Sequence, residues 1–149
     1  MPPQRNLDAG AEVNAPGSKG FGRTALQAVA EMGSIEYVRT LLDAGADINA
    51  PAGPSRGITT LQGAVARGHF GLVLMLLKVE ADVNAAPARF ECRSALEAAV
   101  EHGRLDIVQF LLNASVDSEY INGMRFIRAV ALVEEGHYAV SKLLRDYST

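Results

Sequence analysis

The side chains with the greatest chemical reach in this sequence are three histidines, His69, His102 and His137, the lone Cys92, and the carboxylates Glu31, Glu101, Glu134 and Glu135. Cys92 and His102 together would make a nucleophile and its base, which must lie within hydrogen-bond reach of each other. They stand ten residues apart, at opposite ends of a helix roughly 12 Å long or more at 1.5 Å per residue, so they do not meet. A metal site needs clustered ligands. There is no Cys-x-x-Cys and no His-x-x-x-His, and successive histidines are 33 and 35 residues apart. Gly17-Ser18-Lys19-Gly20 has the composition of a phosphate loop but not the Gly-x-x-x-x-Gly-Lys-Ser/Thr spacing, and no strand precedes it; it reads as a flexible loop. The glutamates could serve acid–base chemistry, yet a row of carboxylates near helix ends is ordinarily a solvated face. These residues imply no catalytic group, no metal site and no cofactor.

What organises them is a period. Gly33, Gly68 and Gly103 are 35 residues apart and Gly136 follows 33 later. Eight residues after each of the first three comes a leucine pair, Leu41-Leu42, Leu76-Leu77 and Leu111-Leu112, with a weaker copy at Leu143-Leu144. A period of this size marks a stacked solenoid. Each unit opens on a capping box: Thr24 with Gln27, Thr59 with Gln62, Ser94 with Glu97. In such a box the hydroxyl accepts from the third helical N–H and the long side chain reaches back to the cap N–H. Leu26, Val29 and Ala30 share one face of the first helix, which is predicted to end at Gly33 in a left-handed residue. A second helix is predicted from about Ile35 to Ala44, with Ile35, Val38, Leu41 and Leu42 as its apolar stripe, repeated by Leu105, Val108, Leu111 and Leu112. Helices of about 8–10 residues do not stand alone in water, so neighbouring units must stabilise one another. Alanine-rich first helices beside leucine-rich second helices make the stack curve, with the first helices on its concave side.

Composition agrees. Hydrophobic residues make up 48% of the 149, enough for a continuous core. No apolar run reaches the roughly 18 residues of a membrane span, and Met1 to Asn6 lacks the apolar stretch of a signal peptide. One cysteine excludes an intramolecular disulfide; the expected compartment is intracellular, cytoplasmic or nuclear. A net charge of −3 gives no general affinity for nucleic acid.

The run Thr24-Ala25-Leu26-Gln27, Gly33, Tyr37-Val38, Leu41-Leu42 and Gly45-Ala46-Asp47-Ile48-Asn49-Ala50 resembles the ankyrin repeat. The resemblance covers residues 7–146 and implies an all-α fold, an ankyrin repeat solenoid of stacked helix-turn-helix pairs with extended β-turn fingers. The implied division is a partial first repeat at 7–17, repeats at 23–50, 58–85 and 93–120, and a divergent C-terminal capping repeat at 124–146. The cap is read from Ile127-Arg128-Ala129-Val130, which lacks a capping hydroxyl, and from the polar outer helix carrying Ser141, Lys142, Arg145 and Asp146. The Asn-Ala-Pro finger starts at Asn14 and Asn49, and Asn84-Ala85-Ala86-Pro87, resemble most the large arrays of filamentous fungi. Ten residues from Asn14 to Thr24, two more than the commonest form, account for the 35-residue step. At the N-terminus Leu7 to Asn14 matches a repeat's end with only six residues before it. Either the array is cut from a longer protein or one helical turn caps it; in both cases the flank is open to self-association.

By the resemblance, His69 and His137, each following its glycine, are structural, and His102, just before Gly103, is a surface contact. Cys92 replaces the glycine of Gly22 and Gly57, which is loop variation. The implied partner-binding positions are Lys19 and Phe21, Ser55 and Arg56, and Arg89, Phe90 and Glu91 in the fingers, with Glu31-Met32, Ala66-Arg67 and Glu101-His102 on the inner helices. The competing reading of Phe21 and Phe90 is packing within their own fingers. The fingers carry Lys19, Arg23, Arg56, Arg89 and Arg93 against Glu91, a balance of +4 that leaves −7 elsewhere. That asymmetry favours a protein partner with an acidic patch over nucleic acid or membrane. The expected function is a non-enzymatic protein-interaction module. The alternatives are an enzyme or small-ligand binder using the concave groove near Met32, Arg67 and His102, and a structural or oligomerising fragment of a larger array.

Overall fold

The computed structural model describes residues 12–17, 22–89, 93–114 and 136–148. Seven helices follow in order: α1 (Ala25–Met32), α2 (Ile35–Asp43), α3 (Thr60–Ala66), α4 (Phe70–Lys78), α5 (Ala95–Glu101), α6 (Leu105–Asn113) and α7 (Tyr138–Ser148). They form helix-turn-helix pairs, with α1, α3 and α5 as a stacked inner layer and α2, α4, α6 and α7 outside. No strand occurs among the described residues; Ser55 makes an isolated β-bridge. The predicted inner helix of the last repeat, around Ile127 to Val130, and most of the partial first repeat lie outside the described residues.

All three capping boxes form. Thr24, Thr59 and Ser94 each accept from the backbone N–H three residues on, and Gln27, Gln62 and Glu97 each accept from the cap N–H. α1 ends at Gly33, left-handed at φ 84°. α3 and α5 end one residue earlier, capped by Arg67 and His102, so that Gly68 and Gly103 follow the cap in the same left-handed conformation. The core runs unbroken through the stack: Leu26, Leu61 and Leu96 inside, Val38, Leu72, Val73, Leu76, Val108, Leu111 and Leu144 outside. Burying each such side chain contributes about 1.5–3 kcal/mol. Two residues of the predicted outer stripe, Ile35 and Leu105, are instead exposed. Both sit at the first position of their helices.

Polar side chains tie each unit to the next. The Gln27 amide donates to the carbonyls of Ala50 and Pro51 at 3.0 and 3.1 Å, and Gln62 donates to that of Ala85 at 3.1 Å. Each cap residue thus also anchors the start of the following finger. Glu97 holds the same place but is buried, and its carboxyl group has no amide hydrogen to donate. A second ladder runs along the loops. Asn14 donates to the Gly45 carbonyl and accepts from Asp47 N–H, at 3.1 and 2.7 Å; Asn49 does the same with Glu80 and Asp82, at 3.2 and 2.8 Å. The described fingers close on glycine. A Cβ on Gly57 would lie 2.1 Å from the Gly53 nitrogen, and one on Gly17 would lie 2.5 Å from the Gly22 Cα.

Two stability changes follow. Gln62→Ala strips a buried amide from both Thr59 N–H and the Ala85 carbonyl, and is expected to cost about 2–3 kcal/mol. Thr60 stands where the other repeats have Ala25 and Ala95, and its buried hydroxyl has no partner among the described residues. Thr60→Val is expected to stabilise by about 1 kcal/mol. Urea unfolding of the full chain measures both.

Candidate functional site

The inner helices end in two registers of residues at the edge of the core, the first half-buried and the second exposed. Glu31, Ala66 and Glu101 make one, and Met32, Arg67 and His102 the next. Their exposure follows from helix phase: the capping box and Leu26, Leu61 and Leu96 point the opposite face of each helix into the stack.

Glu31 is the centre of an ion network. One oxygen pairs with Arg23, at the start of its own repeat; the other accepts from Arg67 of the next repeat, Nη2 at 2.9 Å and Nε at 3.3 Å. Arg93 and Glu101 repeat the first of these pairs at 3.1 Å. The middle repeat has Ile58 and Ala66 at those positions, so the network skips it. Two of the five finger cations, Arg23 and Arg93, are therefore tied to inner-helix carboxylates, and the fingers are less basic than their sequence suggests. Arg23, Glu31, Met32, Arg67 and His69 line one hollow of about 540 Å³, open to solvent. Met32 is 74% exposed beside it.

The histidines divide. His69 Nε2 hydrogen-bonds the Glu31 carbonyl at 2.9 Å, and His137 Nε2 that of Glu101 at 3.0 Å. Each ring also covers the preceding repeat's glycine: a Cβ on Gly33 would lie 2.6 Å from the His69 ring, and one on Gly103 2.7 Å from that of His137. Arg104 covers Gly68 in the same way. These side chains are struts between repeats. His102 is exposed, with Nδ1 bonded to the Ala98 carbonyl of its own helix at 2.8 Å, and it does not line the hollow that holds Met32 and Arg67.

Of the finger candidates, Ser55 is half-buried, while Arg56 and Arg89 are exposed. Arg56 has a left-handed backbone at φ 54°, which aims it from the tip of the Gly53–Gly57 closure. Lys19, Phe21, Phe90 and Glu91, together with Cys92, lie outside the described residues. A second hollow, about 600 Å³, sits between the first two fingers and is walled by Pro16, Pro51, Ala52 and Pro54 over Asn14 and Gln27. Among the described residues no three His, Cys, Asp or Glu cluster in a metal-holding group, and no helix is long and apolar enough to cross a membrane.

The periodic reading passed over the outer face of α4. Where α2 carries Glu36 and Arg39, α4 has Gly71 and Leu74. Ile35 lies against Gly71, with its Cδ1 3.7 Å from where a Cβ would stand, and Phe70 meets the exposed Phe110 edge to face at 5.6 Å. The signal was present in the unbroken apolar run of Phe70 to Leu77, which one helical face cannot absorb.

Salt separates the two kinds of inter-repeat contact. Glu31→Gln is expected to lower unfolding free energy by no more than about 1 kcal/mol, an effect that vanishes in 1 M salt. His69→Ala should cost about 1–2 kcal/mol at either salt concentration. Urea unfolding at both concentrations checks this.

Ankyrin repeats, in three copies, match residues 4–87, and a further ankyrin repeat matches residues 92–121. No curated protein matches the chain.

Proposed function

The chain belongs to the ankyrin repeat family, and from that premise we propose that it is a non-enzymatic module that binds a partner protein through the concave ends of its inner helices and its long fingers. Repeats of this family generally serve as protein-interaction modules. The observation that carries the reading here is the exposed row of Met32, Arg67 and His102, one residue at each inner-helix end, on helices tied to the following finger by Gln27 and Gln62. A surface ordered before binding loses little entropy on association. Phe21 and Phe90 are proposed as apolar anchors, since aromatic residues and arginine dominate interface energetics. Lys19, Ser55, Arg56, Arg89 and Glu91 are proposed as finger contacts, with Glu31 and Glu101 beside the helical row.

An acidic patch on the partner fits the exposed arginines Arg56, Arg67 and Arg89. The reading as an enzyme or ligand binder needs Met32, Arg67 and His102 around one pocket, and His102 lies apart from the others' hollow. We further propose the division into a partial repeat, three full repeats and a capping repeat, an intracellular setting, and kinship with fungal arrays through the Asn-Ala-Pro finger starts. Self-association at the N-terminal flank is the remaining proposal; a chain that sediments as a monomer at high concentration would remove it.

The deciding experiment is a pull-down from the source organism with wild type and with Arg89→Ala/Phe90→Ala. The double variant should lose partner affinity about tenfold or more while its melting temperature moves by less than about 2 °C. Equal recovery by both chains, or unfolding of the variant, would sink the finger assignment.

A further inference from the structure

Arg67 is held in a way that leaves it half used. Its Nε and Nη2 both donate to one oxygen of Glu31, at 3.3 and 2.9 Å, while Nη1 has no partner among the described residues. The side chain is 62% exposed. Glu31 itself is shared with Arg23, so two guanidinium groups face one carboxylate and a positive charge is left over at the site. Glu31 thus fixes the plane of the Arg67 fork and its outward edge points to solvent. A guanidinium edge in a fixed plane suits a carboxylate, which it meets through two parallel N–H bonds. One repeat along the same row stands Met32, 74% exposed, a flexible apolar surface suited to an aliphatic or aromatic side chain.

We infer that this part of the concave face reads an extended peptide segment of the partner, with an Asp or Glu side chain on the outer edge of Arg67 and an apolar side chain on Met32. The spacing follows from the stack. Adjacent packed helices lie about 8–10 Å apart, and a chain extended in the polyproline II conformation advances about 3.1 Å per residue with three residues per turn, so that every third side chain returns to the same face. The apolar and acidic residues are therefore three apart in the partner, separated by two residues of free choice. The inference rests on the interaction-module reading and adds the chemistry and register of what is bound.

The test is selection of 12-residue random peptides displayed on phage against the full chain. An apolar residue three positions from Asp or Glu should be enriched. The best sequence, made with both ends capped to exclude a terminal carboxylate, should bind Arg67→Gln at least about tenfold more weakly. Arg67→Lys should restore part of the loss, because it returns the charge without the fork. Changing the peptide's acid to its amide should cost the same factor on wild type and nothing further on Arg67→Gln. Met32→Ser should weaken binding and abolish the apolar preference alone. Enriched peptides without the acid, or an acid preference that survives on Arg67→Gln, would overturn the inference. If such peptides still lose affinity on Met32→Ser, the concave interaction surface stands without it. Failure to enrich any peptide would overturn both.

Discussion

Everything in this molecule depends on hydrogen bonds from side chains of one repeat to backbone of the next. Helices of 7 to 9 residues form the described inner and outer layers up to α6, too short to persist alone. Apolar contacts between repeats supply most of the energy, but grease does not set a register. Gln27 and Gln62 set it on the finger side, Asn14 and Asn49 along the loops, and His69 and His137 on the inner-helix ends. Each commits a polar group to a specific carbonyl or N–H; a slipped stack would leave the buried or half-buried ones, Gln27, Gln62, His69 and His137, unpaired at about 1–3 kcal/mol apiece, while Asn14 and Asn49 are exposed.

That ladder leaves the concave surface free to vary. Backbone groups at the helix ends are satisfied by residues that recur, and so the exposed row can change from Met32 to Arg67 to His102 without altering the fold. The same logic explains why the ion pairs are irregular: Arg23–Glu31 and Arg93–Glu101 have no counterpart at Ile58 and Ala66. Exposed pairs contribute little to stability, and repeats tolerate their loss. Glu31 does more for geometry than for energy, since it fixes the plane of a neighbouring guanidinium.

The glycines show how a residue can be understood in part from sequence. A left-handed helix end requires Gly33, Gly68 and Gly103, and this was legible from their period. Their second role was not. Each also lies under a side chain of the following repeat, His69, Arg104 or His137, at distances that no Cβ permits. The strut position tolerates both imidazole and guanidinium, so the residue type there gives no periodic signal at Arg104. The apolar outer face of α4 went unread for the opposite reason. Its Leu74 and Phe70, both half-buried, fit the leucine-rich pattern of an outer helix, and a run that is apolar on every face does not say which members the neighbouring helices cover.

Sequence by itself determined the repeat, the phase of each helix and the capping boxes, because all of these arise within about four residues and carry fixed spacings. It also placed the two residues before each glycine at the ends of the inner helices. Only the tertiary structure decided which of those residues meet. Glu31 and Arg67 are 36 residues apart and join because adjacent repeats stack at one rise and rotation; His102, one repeat further on, turns back to its own helix instead. Contacts across the stack depend on the accumulated geometry of two units and the rotamers available between them, and a local pattern holds no record of either.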